Sequence, residues 1–472
     1  MTEASAQKDV AYAFAKNVVE TKFEDLPPKA VDAAKKGVID TLGVILAASG
    51  VIPSLNGVVE VVREMGGNPE STIIAFGGKA PACMAAFANG AMAHCMDYDD
   101  IEHSTTYHPS SAVVPAGLAI AERNRPVNGK DFITAIALGQ DLGIRLAKSI
   151  PAKRKPPWHR TALLSIFASA ATAAKILNLD EEGVVDALGL AFCQSSGTLE
   201  LRWGVGTDIG GMYPAFPAKG GVLSALLAQK GVAGIKSCFE GKAGLFNTYF
   251  DGNYDRSKLT SGLGSEFTGA DTALKPWPAC AANHTYIDAA LNLLDEHTIT
   301  HQDIDHIVIH VGDWAQTLCE PLPARQKPAS ALDAKFSLPF CISVATVQGN
   351  VVLDDFISSS LTDPKVLEMA QKVKPKLDDR LNITESGLPP GVVEIHTKQG
   401  KTFSKEVSKP LGHPENPITW EAINDKFRDC SRHAVRPLPE QNADRVIEFV
   451  QKLERVGDVA DISQWLAATV IS

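Results

Sequence analysis

The chain is 472 residues long, 45% hydrophobic and 21% charged, enough to bury one large core or two moderate ones. A formal net charge of -10 leaves no surplus of Lys or Arg to neutralise phosphates, which excludes nucleic acid and an anionic membrane as expected partners. No run approaches the roughly 20 apolar residues that span a bilayer, and Met1 to Ala6, followed by Gln7, Lys8 and Asp9, lacks the apolar stretch of a secretory signal, so the expected address is the cytoplasm.

From Asp9 to about Lys242 the pattern is helical, with Ala-rich stretches broken by polar, Gly or Pro residues. Pro28 fits the first turn of a helix that continues as AVDAAKKGVIDTLGVILAAS. Further helices are expected in CMAAFANGAMAHCMD, DFITAIALGQDLGIRLAKSI, TALLSIFASAATAAKIL, EGVVDALGLAFCQSSG and GGVLSALLAQKG. Ala or Gly on nearly every face implies close packing inside a bundle. After Asn253 a polar, Gly-rich stretch leads to a segment of mixed character. HIVIHVG and VVEIHTKQGKTFSKEV alternate like strands, with a hairpin turn at residues 398–400, and YIDAALNLLDEH, FSLPFCISVATVQG and DPKVLEMAQKV read as helices between them. From Thr419 the pattern is helical again. The expectation is a mainly α protein: a large all-α domain over residues 1–265, with residues 415–472 packing back on it, and a smaller α+β lid domain over residues 266–414. The eight cysteines (Cys83, Cys95, Cys193, Cys238, Cys280, Cys319, Cys341, Cys430) include no CxxC pair, so neither a disulfide framework nor a structural zinc site is indicated.

The densest chemistry lies in HCMDYDDIEHSTTYHPSSAVVPAGLAIAE, residues 94–122. Asp97, Asp99, Asp100, Glu102, His103 and His108 crowd the junction between two apolar helices, where Pro109 supplies a break and Ser110 and Ser111 a helix cap. Acid–base groups held at such a junction can reach a pocket from a rigid frame. The same composition also describes a solvated loop with helix-capping carboxylates. Asp and His are metal ligands too, but this spacing matches no tight zinc or di-iron motif, and no metal is expected.

The run HCMDYDD…HPSSAVVPAGLAIAE resembles the signature of the MmgE/PrpD family, whose members dehydrate, decarboxylate or epimerise small polycarboxylates. IDTLGVILAAS, LGLAFCQSSGTLE, GGVLSALLAQKG, KPWPACAANHTYIDAAL and KFSLPF extend the similarity in order along nearly the whole chain. The resemblance implies a helical domain plus an α+β lid, a homodimer, no cofactor, and an active site in the cleft between the domains. It places Asp97 and His108 in that site, adds His159 of PPWHRTALLS, although Arg160 stands where proline is usual, and makes His284 of ACAANHTYID the lid histidine.

One departure bears on the chemistry. The family carries a motif close to G-T-x-x-K-x-x-H, and counting from Gly206 and Thr207 puts Gly210 at the lysine position and Tyr213 at the histidine position. Arg202 or Lys219 could replace the missing charge, although a helix-surface lysine is the commoner identity of Lys219. Removing a proton next to a carboxylate demands a positioned base and donors for the developing charge, and histidine suits the task because both its protonation states are accessible near neutrality. The expected assignment is Asp97, His108, His159 and Tyr213 as catalytic groups, with His103, Arg202, Lys275, His284 and Lys335 binding the carboxylates of a small-molecule substrate. The expected activity is that of a lyase, with an epimerase and a non-catalytic scaffold as alternatives.

Overall fold

The computed structural model describes residues 8–151, 157–203, 207–357, 359–382 and 390–467, apart from the side chains of Arg202 and Trp203. The fold is mainly α with a smaller α+β part. The chain divides into two compact units, Met1–Thr272 with Trp420–Ser472, and Ala273–Thr419.

The principal helices of the first unit are α1 (Val10–Glu20), α2 (Pro28–Val51), α3 (Leu55–Met65), α4 (Ala82–Met92), α5 (Ser110–Arg123), α6 (Gly129–Ser149), α7 (Arg160–Ile176), α8 (Glu181–Phe192), the short α9 (Glu200–Trp203) and α10 (Ile209–Met212), and α11 (Ala215–Gln229). A two-residue antiparallel ladder, β1 (Ser71–Thr72) with β2 (Lys79–Ala80), lies before α4. Pro28 opens α2, where its missing N–H costs nothing and its fixed φ suits a first turn. Helices α5, α6 and α7 are buried on almost every side, which their small residues make possible. A Cβ at Gly221 of α11 would come within 2.5 Å of Ser169 and 2.6 Å of the Ala170 backbone, so glycine is what lets α11 lie against α7. Among the described residues no single helix is long and apolar enough to cross a membrane; α2 and α3 pass that test only as a pair bent by 100°, and most of α2 is buried.

Helix α4 ends at Met92, earlier than the helical pattern running on to Asp97 suggests. The chain turns there, with Asp97 in the left-handed region at φ 48°. Ser110 begins α5 without capping it, because its side chain turns to Asp100 instead.

The second unit is built on a four-stranded sheet in the order β4 (Val373–Leu377), β3 (Ile304–Val311), β5 (Gly391–Thr397) and β6 (Thr402–Val407), with β4 parallel to β3 and the other pairs antiparallel. Ile307, Ile309, Val311, Val393 and Ile395 alternate onto one face and pack with Tyr286, Ala289 and Leu293 of α12 (Ala281–His297) and with Leu338 and Ile342 of α13 (Leu338–Gln348). Each such aliphatic side chain contributes about 1.5–3 kcal/mol by leaving water. Gly400, at φ 79°, makes the β5–β6 turn. Strand β4 follows directly on α14 (Pro364–Lys372), where the sequence pattern carries the helix through Val373.

The chain from Trp420 belongs to the first unit. Helix α15 (Trp420–Arg432) lies on α2, with Phe427 and Cys430 3.4 Å from where a Cβ at Gly43 would stand.

Candidate active site

The segment between α4 and α5 is held by its own polar side chains. The Glu102 carboxylate accepts from the backbone N–H and hydroxyl of both Ser104 and Thr105, and its N–H donates to the Tyr107 carbonyl at 2.7 Å, closing a loop over residues 102–107. Tyr107 is driven into the core, where the Ser165 hydroxyl donates to its phenol oxygen at 3.0 Å. Only glycine fits beneath it, since a Cβ at Gly143 would stand 2.2 Å from that oxygen. The next residue, His108, is thereby fixed at the mouth of α5, and its N–H donates to Thr161 Oγ1 in the first turn of α7.

Two histidines share one carboxylate. Asp99 is completely buried; its Oδ1 lies 2.7 Å from His94 Nδ1 and its Oδ2 lies 3.0 Å from His108 Nδ1. Burial alone would raise its pKa, but the two imidazoles beside it hold the Asp99 carboxyl well below the usual carboxylate range. An ionised carboxylate only accepts, so in each neutral imidazole the proton sits on Nδ1 and the lone pair on Nε2. Both rings are thus set up as bases.

Asp100, one residue on, has the opposite state. It is buried too, and desolvation pushes its carboxyl well above the usual range against the Ser110 hydrogen bonds, with the charges of Asp40 and Asp99 adding to the rise. The Ser110 hydroxyl lies 2.5 Å from Asp100 Oδ2 and accepts from Gln140 Nε2 at 2.8 Å.

The aromatic groups continue as a row. The His108 and His94 ring centroids are 4.5 Å apart, His94 and Tyr213 4.9 Å, and Tyr213 and His159 4.6 Å. Tyr213 is buried and follows α10 directly. His159 caps α7, its Nδ1 accepting the Ala162 N–H at 3.3 Å. That bond leaves the proton of the neutral ring on Nε2, so His159 presents an N–H donor where His94 and His108 present lone pairs. Thr161, two residues on, holds His108, so one helix start fixes both ends of the row.

Of the residues expected from sequence, His108, Tyr213 and His159 come together. Asp97 and His103 lie half-buried in the turns of the same segment, and the carboxylate between the histidines is Asp99. Arg202 is in α9, its side chain outside the described residues. Arg160, at the family's proline position, donates from Nη1 to the Thr105 carbonyl at 3.2 Å and so ties α7 to the 102–107 loop. Lys219 is partly exposed, with Nζ 5.7 Å from the Phe87 ring centroid. At Gly210 a Cβ would stand 2.8 Å from the Leu201 carbonyl oxygen, so a side chain at the family's lysine position would require the backbone to shift.

In the second unit Lys275, His284 and Lys335 are all buried. His284 lies in the first turn of α12 and donates from Nε2 to the Ala279 carbonyl at 3.1 Å, its ring beside Trp277. The Lys335 carbonyl accepts from the Cys280 N–H and from Asn283 Nδ2, so Lys335 adjoins the start of the same helix.

His94, Asp99 and His108 each offer a ligand atom within 4.8 Å of the others, and among the described residues this is the group that could hold a metal ion. Their closest nitrogen–oxygen separations, 2.7 and 3.0 Å, are tighter than the roughly 3.3 Å between ligands of a tetrahedral zinc at ~2.0 Å. Shared protons account for that spacing better than a shared cation.

The profile of the MmgE/PrpD N-terminal domain matches residues 12–257, and that of the MmgE/PrpD C-terminal domain matches residues 277–455. Similar proteins of known name include the cis-aconitate decarboxylase of Aspergillus terreus, 25% identical over 469 residues that cover 95% of this chain and 94% of that one. The cis-aconitate decarboxylase of Mus musculus is 27% identical over 486 residues, covering 97% and 93%, and that of Homo sapiens 25% identical over 480 residues, covering 97% and 95%.

Proposed function

The chain belongs to the MmgE/PrpD family, and from that premise we propose that it is a cofactor-independent lyase working on a small di- or tricarboxylic acid by histidine acid–base chemistry. The observation that carries the reading is the row His108, His94, Tyr213, His159 with Asp99 at one end. It holds bases and an acid in opposite tautomers within one continuous set of rings.

Either lyase reaction uses both kinds of group. In a dehydration, Nε2 of His108 or His94 takes the proton next to a carboxylate. The C–O bond breaks, and the departing hydroxide leaves as water with a proton from His159 or Tyr213. In a decarboxylation the C–C bond breaks, carbon dioxide leaves, and the electron pair left on carbon takes a proton from the imidazolium of His108 or His94, while His159 and Tyr213 donate hydrogen bonds to the substrate. The imidazolium, formed in the dehydration and spent in the decarboxylation, is stabilised by Asp99, which stays charged throughout. The names of the similar proteins favour decarboxylation. Lys275, Lys335 and His284 are the proposed ligands of the substrate carboxylates, together with Arg202 and His103, which gives an acidic chain the local cations an anionic substrate needs. The proposed assembly is a homodimer, as the family resemblance implies.

Proton NMR in D2O with a panel of di- and tricarboxylates that includes cis-aconitate tests the reading. Loss of a substrate with appearance of a new alkene or a decarboxylated product is the expected result. Exchange of the proton next to the carboxylate with no elimination would replace the lyase by an epimerase, and a chain inert to the whole panel would leave a scaffold.

A further inference from the structure

Ile423, Lys426, Phe427 and Cys430 repeat at the spacing of one helical stripe, which puts a lysine among core residues of α15. The structure buries it there: the Lys426 side chain is 4% exposed. A buried ammonium persists only with its donors satisfied by charge and dipoles. Lys426 Nζ lies 2.6 Å from Asp40 Oδ1 on α2 and 2.6 Å from the carbonyl oxygen of Tyr98, and it stands 3.7 Å from the centre of the Tyr98 ring.

Tyr98 is the residue between Asp97 and Asp99. Its carbonyl belongs to the peptide that leads into Asp99, so the bond from Lys426 fixes the plane from which the Asp99 side chain departs. Carboxylate oxygens at 2.7 and 3.0 Å from two separate imidazoles leave little tolerance for rotation of that peptide. The second contact has an electrostatic consequence. Asp40 is one of the charges that bear on Asp100, so Lys426 also balances an anion beneath the acidic segment.

We propose that Lys426 is a positioning residue: by gripping the Tyr98 carbonyl and neutralising Asp40 it holds Asp99 at the two histidines. The proposal rests on the reading of Asp99, His94 and His108 as the acid–base centre. It makes α15, far away in sequence, part of the machinery that sets imidazole tautomers.

The test compares the full-length protein with Lys426→Met and with Asp40→Asn/Lys426→Met, each labelled with nitrogen-15 in histidine. Imidazole correlation spectra report which ring nitrogen carries the proton, and kinetics are run on whichever substrate the polycarboxylate panel identifies. The double variant leaves no unbalanced buried charge, so it folds where the single variant fails to. The expected result is that His94 and His108 lose the uniform Nδ1–H state of the wild type, while His306 and His396, stacked on the second unit's sheet at 4.3 Å, keep their signals. With a substrate in hand, kcat falls about 10- to 100-fold while KM stays near the wild-type value. A folded single or double variant with wild-type His94 and His108 signals overturns the proposal. If no polycarboxylate is turned over by the wild type, the lyase reading fails, and the imidazole spectra still decide the role of Lys426.

Discussion

Replacing Asp99 by Asn is the most direct perturbation of the candidate site, because it keeps the shape and removes one charge and one acceptor. The wild-type carboxylate accepts at 2.7 Å from His94 and at 3.0 Å from His108. An amide has one acceptor oxygen, so only one of these contacts survives, and its NH2 faces the other ring. That ring must then accept at Nδ1 and carry its proton on Nε2, which turns a base into a donor. The remaining base also loses the anion that would stabilise its imidazolium. Loss of a positioned acid–base group costs about 10²–10⁴ in rate, or roughly 3–5 kcal/mol of transition-state stabilisation. Asp99→Asn is therefore expected to lower kcat by that factor with KM little changed, measured by substrate consumption in the NMR assay. The acid limb of stability offers a second readout. The folded pKa of Asp99 is depressed, so its ionisation stabilises the fold above the unfolded value near 3.8 and that contribution is lost as the pH falls through the folded value. The Asn variant lacks this loss. An Asn variant with near wild-type kcat, folded and with both histidines still Nδ1-protonated, refutes the reasoning.

His108→Ala should lower kcat by about 10² or more with circular dichroism unchanged, whereas Lys219→Ala should act, if at all, on KM; a reversal of the two effects would move the base elsewhere, to His159 in the case that His159→Ala abolishes turnover. Gly143→Ala puts a methyl group 2.2 Å from the Tyr107 oxygen and should destabilise by about 1–3 kcal/mol; an unchanged denaturant midpoint would show that the Tyr107 pocket yields. Asp100 has a raised folded pKa, so its stabilising effect is complete below 3.8 and fades as the pH rises through the folded value; Asp100→Asn should raise Tm relative to wild type increasingly toward alkaline pH, and a constant offset would contradict the sign. Activity should survive prolonged chelation, and complete loss restored by one divalent ion would reassign His94, Asp99 and His108 as ligands.

Much of the helical architecture was legible because burial in it follows period: the pattern over residues 161–177 corresponds to α7, and the alternation before and after Gly400 to β5 and β6. The MmgE/PrpD motifs likewise identified a family that both domain profiles match. Strand β4 was not legible, since VKPKL has neither alternation of apolar residues nor freedom from proline, and only its pairing with the buried β3 makes it a strand. The choice among Asp97, Asp99 and Asp100 was out of reach for a related reason. In an irregular segment no period says which side chain points inward, and a single left-handed residue, Asp97 at φ 48°, redirects those that follow. His94 lies two residues beyond the end of α4, its carbonyl accepting from the Asp97 N–H in the turn that follows, whereas the sequence pattern reads it as the tail of the helix. Lys426 did carry a signal, a cation at a core position of an amphipathic helix, which the sequence reading left unused.

Asp99 and Asp100 show why spacing alone could not assign the chemistry. They are adjacent, identical in type and both buried, yet one is held charged and the other pushed toward the neutral form. The difference lies in the partners: two imidazoles for Asp99, a serine and further carboxylates for Asp100. With one charged carboxylate for two imidazoles, the cluster of Asp99, His94 and His108 carries one negative charge when both rings are neutral and none once one ring has taken up a proton. A polycarboxylate brought near it repels the first state and not the second, so substrate binding favours the proton-loaded cluster. A dehydration that begins with proton abstraction works against this bias. A reaction that needs a proton delivered to carbon works with it, and this electrostatic asymmetry sides with decarboxylation on grounds independent of the names of the similar proteins.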